Sequence, residues 1–391
     1  MKIVNYELPK VNGLGTFAIV YNGGSSIETE GNYGISHLVE HCMCDKIHDF
    51  EKQIKVLGLS WNAATTGNEV YFYLVGIVDN IRKIMNEFTS LIVDLDISEE
   101  AFEREKKIVL TEYNTYASDQ DEAMYMNFLR KKYNIFTPGG RRKDIEKITY
   151  EEFKKFKEKW YSAPTYIGFS HPKNEKKLLE SDLKEFASNS KHTDFNKIAR
   201  WNTEYKQGSY DNEMEKNSTF KTQRAMLLSR EFTSYETKDH KNYAFAKILS
   251  SLLSGGLASI LMTEIRRKLG FVYNIRSSYT QINQTKFLFM ITSSFETSKQ
   301  DAVVKEVKKV LKDLTKYIKR KDYISTIKTL IATHERNEYI RYDFPIDDID
   351  DKAIEFITKN EEKLEKSMKE FIDFVLELSL GSAEIFIDTD F

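Results

Sequence analysis

His37-Leu38-Val39-Glu40-His41 is the stretch of this sequence best suited to chemistry. Two imidazoles four positions apart on a helix face the same side, one turn above each other. That is the spacing two ligands of one Zn²⁺ require. Glu40, one residue before the second His, lies close enough to take a proton from zinc-bound water without being a ligand. The chemistry such a set could do is hydrolysis of an amide. A catalytic zinc keeps three protein ligands and one open position, so a third ligand must come from elsewhere. The segment 98–112 offers two carboxylates, Glu105 and Glu112, seven residues apart and so on nearly one helical face, with Ile108 and Val109 between them. Asp96 or Ser98 can cap that helix, and Glu99 and Glu100 suit its first turn. Each piece also has a plain reading: two histidines spaced by chance, and a solvated helix carrying charge.

Taken together, the motifs resemble the pitrilysin/insulin-degrading enzyme family of zinc metallopeptidases, whose pattern is H-x-x-E-H followed by a helix with E-x6-E. Here 70 residues separate His41 from Glu112, slightly fewer than the family's usual gap. The resemblance implies zinc, one ion per chain, on His37, His41 and Glu112. It makes Glu40 the general base and Glu105 a supporting carboxylate behind the ligands. Gly58 to Thr65, with Asn62, Ala63 and Thr65, followed by a strand from Glu69, resembles the family's edge-strand pair. That pair implies substrate binding at Asn62 and Ala63, with an extended peptide added as a further strand. Ile265 to Tyr273 resembles the family's second-half signature, which implies that Arg266 and Tyr273 bind substrate and help stabilise the oxyanion. One stretch departs. The family usually follows its motif with Met and a short aromatic–Lys–Gly–Thr turn, whereas this chain reads Cys42-Met43-Cys44-Asp45-Lys46-Ile47.

The implied activity is a zinc endopeptidase acting on flexible peptides inside a chamber closed by paired chains, as a homodimer or with a homologous partner. Two other readings stand beside it: a non-catalytic or partner-dependent subunit of the same fold, and a protease dedicated to one leader or precursor peptide.

The elements that would position these residues follow from the rest of the chain. At 391 residues the chain suits two domains, 1–195 and 196–391. The expected class is α+β, with each domain a mainly antiparallel sheet carrying helices on one face. Strands are expected from Thr16 to Tyr21, from Glu69 to Ile77 and from Tyr166 to Phe169. An amphipathic helix capped by Asp79 carries Ile81, Ile84, Phe88 and Leu91. Thr149 and Glu152 form a capping box for a helix ending near Trp160. A polar linker spans 188–218, and the order then repeats: a strand from Arg224, a helix from Tyr243 to Leu253, a strand from Phe287 to Thr292 and a helix from Val303 to Leu314.

With 58 basic and 60 acidic residues, the chain has no large field for nucleic acid or membrane. It has no run long enough to span a bilayer and no apolar stretch near Met1, so the expected location is cytoplasmic. Cys42 and Cys44 read either as an oxidation-sensing thiol near zinc or as buried, reduced small residues. His334-Glu335 has no second His at ligand spacing, His171 precedes Pro172 in an apparent turn, His48, His192 and His240 sit in polar surroundings, and Lys305 to Lys321 reads as a solvated helical face.

Overall fold

The computed structural model describes residues 2–8, 13–93, 96–133, 135–172, 223–233, 241–282, 286–337, 349–361, 363–380 and 384–387. Strands β1 (Lys2–Leu8), β2 (Leu14–Asn22), β3 (Ser60–Thr65), β4 (Glu69–Ile77) and β5 (Tyr166–Pro172) form one sheet in the order β1-β5-β2-β4-β3. All its pairings are antiparallel except β1 with β5. The alternation along β2 and β4 decides which face is dry. Phe17, Ile19 and Tyr21 share a face with Val70, Phe72 and Leu74, and all six are buried. Helices α1 (Ile35–His48) and α3 (Val78–Val93) pack on this sheet, while α2 (Glu51–Val56) leads into β3. β3 ends the sheet, so one row of its backbone hydrogen-bonding groups has no partner strand.

Helix α3 follows β4 without a break, so Asp79 lies in its first turn instead of capping it. Its buried stripe is Ile81, Ile84, Met85, Phe88 and Ile92. Helix α4 (Glu99–Ser118) starts at Ser98, whose Oγ accepts the Ala101 N–H at 3.1 Å. Helices α5 (Gln120–Tyr133), α6 (Arg142–Lys147) and α7 (Tyr150–Tyr161) follow, and α7 opens with the expected Thr149/Glu152 capping box.

The second sheet has the order β7-β8-β6-β9, antiparallel throughout, from β6 (Gln223–Thr233), β7 (Val272–Gln281), β8 (Lys286–Glu296) and β9 (Glu384–Ile387). Met226, Leu228, Phe287, Phe289 and Ile291 join one core with α8 (Lys241–Ser254), α9 (Gln300–Lys312), α10 (Leu314–Tyr317), α11 (Arg320–Asn337), α12 (Ile349–Glu361) and α13 (Leu364–Leu380). The expected helix over 303–314 breaks at Asp313. The strand-then-helix step of β4–α3 recurs as β8–α9, the echo read in the sequence.

The chain divides into two compact units, but not at a single point. Residues 116–135, expected within the first domain, belong with the second sheet. The reason is apolar. Met124, Phe128, Leu129 and Tyr133 of α5 form a core with Leu227, Leu288 and Met290, the face of that sheet opposite the other helices. Tyr133 Oη also donates to Glu231 Oε1 at 2.8 Å. The 195/196 boundary and the 188–218 linker lie outside the described residues. Among the described residues, no helix is long and apolar enough to cross a membrane.

Candidate metal centre

Both histidines project from α1 (His37 and His41), and the carboxylate comes from α4 (Glu112). His37 Nε2 and His41 Nε2 stand 3.2 Å apart. Glu112 Oε2 lies 3.6 Å from the first and 3.3 Å from the second. Ligands about 2.0–2.1 Å from a tetrahedral zinc must be roughly 3.3 Å from one another, so these three spacings fit one ion. Among the described residues this is the single His/Cys/Asp/Glu group of such a kind. The donor set, two imidazoles and one carboxylate, is chemically suited to zinc.

Burial, and then the neighbouring His41, push the His37 imidazole down to about 4, against the pull of Glu112. It is therefore neutral near pH 7, the form that binds a metal. Its Nδ1 is buried and has no hydrogen-bond partner among the described residues. His41 Nδ1, by contrast, faces Glu105 Oε2 at 3.6 Å. Glu105 is 5% exposed and lies on the side of the His41 ring away from His37 and Glu112. On the same helix Val109 is buried while Ile108 is 45% exposed, so the apolar patch expected between the two carboxylates splits in two.

Glu40 is 8% exposed, and burial raises its carboxyl above the ordinary range. Thr65 Oγ1 donates to its Oε2 at 3.0 Å and Cys44 Sγ to its Oε1 at 3.7 Å. A raised carboxyl with a defined orientation makes a stronger proton acceptor. Thr65 reaches it because residues 61, 63 and 65 of β3 share the helix-facing side of the sheet; Asn62 points to the other side and is exposed. Asn62 Oδ1 accepts the Ala63 N–H at 2.9 Å.

Several supports were not anticipated from the sequence. Arg104 bridges Glu105 (Nε to Oε1, 3.2 Å) and Asp45 of α1 (Nη2 to Oδ1, 2.5 Å). Glu28 caps α1: Gly34 N–H donates to its Oε2 and Ser36 N–H to its Oε1, each at 2.8 Å. Gly34 has φ 100°, and a Cβ there would come within 2.8 Å of Ile145. Gly140 packs so closely that a Cβ on it would lie 2.4 Å from Gly34 Cα. The only cue for Thr65 was the edge-strand motif, and for Cys44 its i, i+4 spacing from Glu40. Glu28, Arg104 and Asp45 had none.

In the second unit, Arg266 sits on a short π-helical turn (Met262–Arg267), and its guanidinium lies 5.2 Å from the Tyr273 ring centre. Gly270, at φ 65°, turns the chain between them. The β7–β8 register shifts between Val272 and Asn274, and Tyr273, carried by that irregularity, is 85% exposed. The structure thus brings the expected Arg/Tyr pair together. Of the other histidines, His48 is exposed, and the side chains of His171, His192, His240 and His334 lie outside the described set.

Residues 11–141 match the family model described as Insulinase (Peptidase family M16), and residues 147–330 match the Peptidase M16 inactive domain. The chain belongs to peptidase family M16. It is 24% identical over 336 residues to a protein named uncharacterized zinc protease from Rickettsia felis, covering 83% of this chain and 78% of that one. It is 24% identical over 338 residues to the zinc protease PqqE of Helicobacter pylori, covering 81% and 73%. Its fold matches the crystal structure of a protease from Helicobacter pylori with a TM-score of 0.73 at 18% identity, covering 98% and 96%. His37, His41 and Glu112 lie within the Insulinase match, and the Arg266/Tyr273 pair within the inactive-domain match.

Proposed function

We propose that this M16 protein is a zinc-dependent endopeptidase acting on flexible peptides. The observation that carries the reading is the convergence of His37, His41 and Glu112 at ligand spacing, with Glu40 clamped beside them. Zinc held there would polarise the scissile carbonyl and acidify water. The protein's own residues do the rest. Glu40 takes the proton from the attacking water and passes it to the leaving amine. Glu105 keeps His41 in the ligating orientation. The free edge of β3 offers backbone groups to an extended peptide, with Asn62 and Ala63 at its centre. Arg266 and Tyr273 are proposed to bind substrate and the developing oxyanion. Closing the site by pairing with a second copy or a homologous chain belongs to the same reading, as does one zinc per chain.

The test sets zinc-loaded wild type beside Glu40→Gln on an unstructured peptide, with products read by mass spectrometry and metal by elemental analysis. Wild type should cleave, and Glu40→Gln should hold zinc and lose nearly all turnover. His37→Ala should lose both. Full activity in Glu40→Gln would sink the mechanism. Zinc binding without cleavage by wild type would favour a subunit that works only with a partner chain.

A further inference from the structure

The segment that departs from the family pattern, residues 42–47, forms the last turns of α1 and lies against the site. Cys44 is one helical turn beyond Glu40, the spacing at which side chains on one face meet. Its thiol donates to Glu40 Oε1 at 3.7 Å, while Thr65 Oγ1 donates to the other oxygen at 3.0 Å. The terminal torsion of a glutamate is broad, so a carboxylate held at one oxygen still swings. Held at both, by donors on two different elements, its plane is fixed. A general base works only within hydrogen-bond reach of the proton it removes, so the fixed plane bears directly on turnover.

We propose that Cys44 is a positioning residue for Glu40, forming with Thr65 a two-sided clamp on the carboxylate. In this chain the thiol is neither a nucleophile nor a metal ligand; it serves as a hydrogen-bond donor. The catalytic half of this proposal rests on Glu40 being the general base, while the contact itself does not.

The contact is tested on metal-free protein by infrared spectroscopy of the S–H stretch. The Cys44 band, assigned by its loss in Cys44→Ser, should lie at low frequency in wild type. It should move part-way up in Glu40→Gln and fully up in Glu40→Ala. A Cys44 band indifferent to both substitutions overturns the clamp. The catalytic role is tested on the zinc-loaded enzyme. Cys44→Ala should lower kcat about 10-fold, at the low end for outer-shell supports, with KM and zinc content unchanged. Cys44→Ser, which keeps a donor, should recover most of the loss. Wild-type kcat in Cys44→Ala, or no recovery in Cys44→Ser, overturns the positioning role. If even wild type cuts no peptide, the proposed function fails, and the infrared shift still decides whether the clamp exists.

Discussion

Glu105 shows how a single buried carboxylate shapes the centre. It touches no expected substrate atom, yet it faces His41 Nδ1 and is itself held by Arg104. Glu105→Ala should therefore weaken zinc binding about 10- to 100-fold, measured by competition with a chelator, while Arg104→Gln should cost much less because its guanidinium is half in solvent. Loss of zinc affinity in Arg104→Gln equal to that in Glu105→Ala would contradict this order. Of the two cysteines only Cys42 fits the plain reading; Cys44 is half-buried and faces Glu40. Cys42 is 1% exposed, and burial pushes its thiol up, so it should alkylate far more slowly in the folded protein than after unfolding. Helical periodicity made the pairing of His37 with His41 and the shared face of Glu105 and Glu112 legible in the sequence, while the choice of Glu112 over Glu105 as third ligand came only from the family resemblance. Glu28 and the Asp45–Arg104 link were not legible, because they depend on the path of loops and on how two helices pack.

At the scale of elements, α1 is held at both ends. Its last turns carry Cys44 and Asp45, and its start is fastened to Glu28. Burial pushes the Glu28 carboxyl up to about 8 from 4.5, outweighing the two backbone N–H groups that favour its ionised form. The folded-state value lies above the unfolded one, so Glu28 contributes stability that is fully present below about 4.5 and is lost as pH rises through about 8. Thermal unfolding of wild type should therefore show a decline in Tm across this window that is flattened in Glu28→Gln. Parallel curves for the two proteins would refute the assignment. Strand and helix positions were largely legible, since alternation in β4 and the α7 capping box are local signals. The destination of α5 was not, because Met124, Phe128 and Leu129 would suit any apolar sheet face equally well.

For the whole molecule, the family match reaches into both sheets, and the proposed zinc ligands all fall in its first part. The second part is expected to act on substrate alone. Tyr273→Phe should thus leave zinc content and Tm unchanged while lowering kcat/KM, and a fall in bound zinc would contradict that separation. The proposed chamber would admit only flexible chains, so a stably folded protein should resist cleavage and become a substrate once unfolded; equal rates would argue for an open site. The Gly34–Gly140 contact has a further consequence, for where the sequence can vary. A side chain at Gly140 would press on the backbone of Tyr33 and Gly34 at the start of α1, one at Gly34 would displace Ile145, and both glycines have positive φ. Substitution is therefore sterically costly at this end of α1, whereas residues 42–47 at the opposite end, where the sequence departs from the pattern the resemblance implies, hold no glycine in such a backbone contact.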